Sequence, residues 1–291
     1  MHQFKYATPG SIEALLSMLA EQRSPVKLLA GGTDLIVQMR TGAVTPALVI
    51  DVKQVVELNQ LLLSDKGLII GAAVSCRTVY ENNHVARAYP ALIDAASLIG
   101  GIQIQGRASI GGNLCNASPS ADLIPALIVL EALAVIQNSR GSRELPVEDF
   151  CTGPGTNALA GDELLVSLKL PPGAKNSGAC FRRFTPRNEM DIAVANAAAA
   201  VVLSADGKHF TSARIAIGAV GPTPILVQEA AEALQGKPVS GASVGIAADI
   251  ARQAASPIND MRGTIAQRKQ LVQVLVTRAL QGAIERAGGA L

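Results

Sequence analysis

ASIGGNLCNASPSAD, residues 108–122, is the stretch from which the fold is read. It is rich in Gly, Ser and Asn, so Gln103 to Ser118 reads as an extended segment interrupted by loops. At its centre Gly111-Gly112 follows a short apolar lead, beside the hydroxyl of Ser109. LLAGGTDL at residues 28–35 repeats the arrangement, with Gly31-Gly32 beside Thr33. Without a Cβ, glycine lets backbone N–H groups approach an anion closely. Consecutive N–H groups in such a turn form a concave donor nest suited to phosphate. Two nests, with Thr33 and Ser109 as extra donors, suit the two phosphates of a dinucleotide. Taken singly, a Gly-Gly pair is most often an ordinary turn. Neither stretch fits the G-x-G-x-x-G fingerprint or the G-x-x-x-x-G-K-[ST] loop, which disfavours a nicotinamide-type Rossmann site and an NTPase.

Before this stretch a helix is expected from about Pro90 to Ile99, ending at Gly100-Gly101. After it another is expected from Leu123 to Leu133, begun by Ser120 or Asp122. Toward the N-terminus Ile12, Leu15, Leu16 and Leu19 recur at helical spacing behind Ser11, a fair N-cap. Val26 to Ala30, Leu48 to Ile50 and Leu68 to Ile70 read as short buried strands. Leu164 to Leu170 alternates weakly and stops at Pro171-Pro172. That pair, with Gly173 and Lys175-Asn176-Ser177, is the best domain boundary. Beyond it, strands over Ile192–Ser204 and Phe210–Ala219 flank a hairpin signal at Asp206-Gly207. Helices are expected from Ile225 to Leu234, Val244 to Ala255 and Ile265 to Ala287, so the tail reads β-β-α-α-α. Strands and helices do not alternate regularly in the first half, which favours α+β over a doubly wound sheet.

Of the 291 residues 49% are apolar and 16% charged, enough for a large core and too apolar for disorder. A net charge of +2, 3% aromatics and no Trp leave no basic stacking surface, so nucleic-acid binding is not expected. Nothing after Met1 to Tyr6 resembles a signal peptide, and no apolar run is long enough to span a bilayer; a cytoplasmic protein without membrane insertion is expected. Export with a signal-bearing partner stays open. Cys76, Cys115, Cys151 and Cys180 form no C-x-x-C pair, and His2, His84 and His209 lie far apart, so no protein-ligated metal is expected. Ala197 to Ala200 suggests close packing of small side chains, or only compositional bias.

AGGTDL, followed about 75 residues on by ASIGGNLCNASPSADLIPAL, resembles the FAD-binding medium subunit of molybdenum hydroxylases, the xanthine dehydrogenase and aerobic carbon monoxide dehydrogenase family. The likeness continues through FRRFTPRNEMDIA (181–193) and PINDMRG (257–263) into the terminal helix with Arg268 and Arg278. These blocks span nearly the whole chain. The resemblance implies a two-subdomain FAD-binding domain of the vanillyl-alcohol-oxidase (PCMH) type over residues 1–173, with subdomains about 1–55 and 56–173. A C-terminal α+β domain over 177–291 follows. It implies non-covalent FAD held by Leu29, Ala30, Gly31, Gly32, Thr33, Asp34 and Leu35, and by Ser109, Ile110, Gly111, Gly112 and Asn113. Asp122 would bond ribityl or ribose hydroxyls, and Leu165 would lie near the adenine or flavin ring. Arg183, where the family often has Lys, would sit near the isoalloxazine and favour its anionic reduced form through charge attraction.

Read from the residues, Asp34 caps the next segment or binds a hydroxyl, and Asp122 is also a candidate N-cap. Pro257 to Asp260 is a helix-terminating turn, or Asn259, Asp260 and Arg262 form a polar network holding the tail domain or a partner. Cys115 reads as a small packing residue near the flavin loop. No iron–sulfur cysteine set is present, so the resemblance implies partners: a large subunit with the molybdenum cofactor and a small subunit with [2Fe–2S] clusters, as a dimer of heterotrimers. This chain would carry electrons from the clusters through FAD to an acceptor, with NAD⁺, a quinone, a cytochrome and O₂ all open. A stand-alone flavin oxidase or reductase and a flavin-free assembly subunit are the competing readings.

Overall fold

The computed structural model describes residues 2–21 and 24–291. The first lobe contains β1 (Lys5–Ala7), α1 (Ile12–Glu21), β2 (Val26–Leu29), α2 (Leu35–Thr41) and β3 (Leu48–Asp51). Its strands are parallel, in the order β1-β3-β2. Ser11 caps α1 as expected, its Oγ accepting from the Ala14 N–H at 3.2 Å, a contact worth ~1 kcal/mol. Ile12, Leu15 and Leu16 then bury against Ile50, Val52 and Val55.

The second lobe opens with β4 (Leu61–Ser64) and β5 (Gly67–Gly71). Six helices follow: α3 (Cys76–Tyr80), α4 (Asn83–Ala88), α5 (Pro90–Ala96), α6 (Ile102–Gln105), α7 (Ile110–Asn116) and α8 (Leu123–Val129). It closes with β6 (Leu133–Asn138), β7 (Gly141–Pro146), β8 (Cys151–Gly153), β9 (Thr156–Asn157) and β10 (Leu164–Leu170). Five of these strands form an antiparallel sheet, β4-β5-β10-β6-β7. β10 serves two cores. Leu164 and Val166 pack with the first lobe, whereas Leu165, Leu168 and Leu170 pack with the second, across a register shift between Leu165 and Ser167. A strand buried on both faces shows a near-continuous apolar run, which is why its alternation is weak.

The tail contains β11 (Ser177–Phe184), β12 (Ala195–Leu203), β13 (Phe210–Gly218), β14 (Ile225–Leu226), α9 (Gln228–Glu232), α10 (Gly241–Ala254) and α11 (Ile265–Arg286). Its antiparallel sheet follows chain order. β12 is also shared: Ala195, Ala197 and Ala199 belong to the tail core with α10 and α11, while Ala198 belongs to the second-lobe core. α8 and α11 both pack against β12. Small side chains on both faces let the two helices come close, so the alanine run reflects packing.

Several expectations need correction. Residues 103–118 are not extended: α6 and α7 occupy them, because Ser109 caps α7 and the second lobe encloses it. The helix after Asp122 stops at Val129, and Leu133 begins β6; Glu131 adopts a left-handed φ of 55° that breaks the helix. Ile225 and Leu226 pair with β13 before the short α9 begins. The tail also starts with β11, a strand whose sequence shows no clean alternation because it is covered from both sides.

Candidate functional site

Between the first and second lobes lies a cleft of about 560 Å³, within the usual range for small-molecule sites. One wall is the turn from β2 into α2. Gly32 has φ +75°, a conformation L side chains rarely adopt, and a Cβ on Gly31 would lie 1.9 Å from the Arg107 carbonyl oxygen. The two glycine stretches therefore meet, Gly31 packing on the backbone just before Ala108. The amides of Gly31, Gly32, Thr33, Asp34 and Leu35 find no acceptor among the described residues; the first amide used in α2 is Ile36, donating to the Gly32 carbonyl. Five adjacent free N–H donors at a helix start make an anion cradle. Asp34 holds the N-cap position but its side chain caps nothing. It lines the cleft, and burial pushes its carboxyl pKa up.

The opposite wall differs from the expected second nest. Ser109 Oγ accepts from Gly112 N–H at 3.1 Å, Ile110 N–H donates to Val74 and Gly111 N–H to Ala72. Those amides are spent inside the protein. Gly111 is glycine because a Cβ would sit 2.6 Å from Ala72. This wall is thus a tight glycine platform rather than a donor nest. It offers one unmet group: Asn113 Oδ1 is buried without a partner and its residue lines the cleft. Gln38 Nε2 to Asn116 Oδ1, 3.4 Å, ties the two walls together.

Ala30 to Leu35, Ser109, Gly111 to Asn113 and Leu165 all line the cleft. Four expected residues do not. Leu29 ends β2 beneath Gly32, and Ile110 is fully buried in the second-lobe core. Asp122 and Arg183 pair with each other at 2.6 Å, and Asp122 Oδ1 accepts from Asn196 Nδ2 at 2.9 Å. Each carboxylate oxygen thus accepts one hydrogen bond from within the protein and keeps a further lone pair. Asp122 does not cap α8 either. Burial raises its pKa, opposed by the Arg183 charge and by its hydrogen bonds. The pair joins α8 to the tail sheet.

Sequence reasoning missed Ala72, Ile99, Asn157 and Glu163, which also line the cleft. Only Ile99 had a signal, standing before Gly100-Gly101. Glu163 accepts from Arg143 at 2.8 Å and from Ala160 N–H, and the Arg143 contact holds its pKa at about 2. Cys115 lines the cleft, and burial, then Cys151, pushes its thiol to about 12, so it stays protonated. In the block 257–263, Asp260 accepts from Arg268 Nη2 at 2.7 Å and from the Arg262 N–H, while Asn259 Oδ1 accepts from Ile265 N–H. Arg268 also donates to the Val194 and Ala219 carbonyls, so this network holds the tail domain together. Among the described residues no cluster of three His, Cys, Asp or Glu could hold a metal, and no helix is long and apolar enough to cross a membrane.

An α+β chain whose interlobe cleft presents a row of free amides and a buried lone acceptor is a nucleotide-cofactor-binding protein. Residues 2–173 match the family described as the FAD binding domain in molybdopterin dehydrogenase, and residues 180–283 match the CO dehydrogenase flavoprotein C-terminal domain. The chain is 32% identical to the xanthine dehydrogenase FAD-binding subunit of Escherichia coli O157:H7, over 98% of both. It is 29% identical to the carbon monoxide dehydrogenase medium chain of Hydrogenophaga pseudoflava, again over 98% of both. A solved carbon monoxide dehydrogenase from Hydrogenophaga pseudoflava superimposes with a TM-score of 0.94, covering 98% of each chain. The chain belongs to the family of FAD-binding subunits of the xanthine dehydrogenase and carbon monoxide dehydrogenase type, a flavoprotein component of oxidoreductase complexes.

Proposed function

We propose that this chain is the electron-transferring FAD subunit of a molybdenum hydroxylase, taking electrons from [2Fe–2S] clusters on a small partner and passing them to an external acceptor. A large partner would carry the molybdenum cofactor, in a cytoplasmic dimer of heterotrimers. The observation that carries the flavin site is the row of five free amides on residues that line the cleft. Bound there, FAD would supply the exchange between single-electron input and two-electron output.

The protein's part is to bind, orient and exclude water. The amides of Gly31 to Leu35, with the Thr33 hydroxyl, would take the pyrophosphate, stabilised by the positive end of α2. Asn113 Oδ1 would accept from a cofactor hydroxyl or N–H, ending its isolation. Gly111 and Gly112 would let a flat group lie close to the backbone. Leu164, Leu165 and Ile99 provide apolar wall, and water excluded there strengthens every polar contact. Asp122 and Arg183 would act from behind, fixing the tail domain against α8. No acid or base in the cleft is needed: Glu163 is committed to Arg143, and Cys115 is a protonated thiol.

Purification of the chain with its co-expressed partners tests this. One FAD per chain, with iron and molybdenum only where the partners are present, is expected. A flavin-loaded chain that turns over a substrate alone, free of metal, would identify a stand-alone flavoenzyme.

A further inference from the structure

Beneath the amide row lies a polar cluster that none of the roles above uses. Asp51, at the end of β3, is buried and accepts from Lys53 Nζ at 2.7 Å, from Tyr6 Oη at 2.5 Å and from the Lys53 N–H at 3.0 Å. Lys53 Nζ also donates to the Ala30 carbonyl at 3.4 Å. Neighbouring carbonyls are held by backbone amides: Leu29 by Val52, Gly32 by Ile36 and Asp34 by Gln38. The Ala30 carbonyl has no backbone donor among the described residues; the Lys53 ammonium is what holds it.

That carbonyl belongs to the same peptide unit as the Gly31 N–H, the first of the five free amides. In a trans peptide the C=O and N–H point in opposite directions. A carbonyl held by Lys53 therefore turns the Gly31 N–H away from Lys53, which does not line the cleft, on a residue that does. The unit precedes two glycines, where rotation meets little steric resistance, so local sequence alone does not fix it. Asp51 in turn fixes Lys53. Burial pushes the Asp51 carboxyl up, but its bonds from Lys53 and Tyr6 bring it below its ordinary range, so it stays charged and keeps the ammonium in place.

We infer that Lys53, anchored by Asp51 and Tyr6, is a positioning residue for the flavin site: it sets the orientation of the Ala30–Gly31 peptide and so pre-organises the pyrophosphate cradle. The inference rests on the flavin reading above. Because the cost of turning that peptide is met during folding, it would not be charged against binding.

The test uses the full chain as Lys53→Met and Lys53→Arg, with FAD affinity followed by flavin fluorescence and apo stability by thermal melting. Lys53→Met is expected to weaken FAD binding about tenfold, the scale of one charge-assisted hydrogen bond. Lys53→Met alone strips the buried Asp51 carboxylate of its cation and should lower the apo midpoint. Stability is therefore matched in Lys53→Met/Asp51→Asn, which leaves no unpaired charge and should melt near wild type while binding FAD as weakly as Lys53→Met. Lys53→Arg, which keeps a cation within reach, should recover most of the affinity. Phosphorus NMR of bound FAD should shift in Lys53→Met and return in Lys53→Arg. Wild-type affinity in Lys53→Met would overturn the inference, as would a Lys53→Met/Asp51→Asn variant that recovers wild-type FAD affinity along with apo stability. A wild-type chain that binds no FAD would instead overturn the flavin reading, so the wild-type control separates the two failures.

Discussion

Two glycines, one from each Gly-Gly pair, have different tasks. Gly32 lies in the free amide row at φ +75°, where an L side chain costs roughly 1–2 kcal/mol. Gly111 lies at ordinary φ against Ala72, where a methyl group would overpack the lobe at a cost of about 1–3 kcal/mol. Gly111→Ala should therefore lower the thermal midpoint of the apo chain together with its flavin content. A drop in flavin content with no change in melting would return Gly111 to the role of phosphate donor. Asp122 is separable in the same way. Asp122→Ala leaves the Arg183 guanidinium buried and unpaired, a loss of about 3–5 kcal/mol in unfolding experiments. Replacing both with apolar residues should recover much of it. Lost FAD affinity at unchanged stability would show instead that Asp122 meets the cofactor directly.

At the level of elements, legibility followed locality. β10 and α11 could be read within a residue or so because one signal, an apolar run or a long helical period, dominates each. α7 could not, since Gly111, Gly112 and Asn113 have poor helix propensity and the helix exists through the Ser109 cap and the lobe around it. The site divided likewise. The Gly31 turn was readable from its own residues, while Ala72, Asn157 and Glu163 reach the cleft only through tertiary pairing. Glu163 precedes β10 and stiffens the cleft-lining turn from Ala160. Its folded pKa, about 2, lies below its ordinary 4.5, so folding favours the ionised form. The resulting stability is whole above that ordinary value and is lost as pH falls toward the folded one. In acid titrations wild type should lose stability faster than Glu163→Gln across that window. Parallel titration curves would refute a role for this carboxylate.

For the whole molecule, sharing β10 and β12 between cores makes three sheets interdependent. Phe181, Ala198 and Ala216 from the tail complete the core around α8. Residues 1–173 expressed alone should accordingly expose that apolar face, bind a hydrophobic dye and aggregate, and co-expression of 177–291 should relieve this. A monodisperse fragment of residues 1–173 with full FAD affinity would contradict the shared-core description.

The Gln38–Asn116 tie spans 78 positions, and Gly31 rests on Arg107. A growing chain leaves the ribosome N-terminal end first. The amide row thus emerges well before the glycine platform that completes its enclosure, and β10 emerges later still. Flavin loading should consequently wait until β10 and the tail strands that complete the second-lobe core have emerged and folded, long after the amide row itself is made.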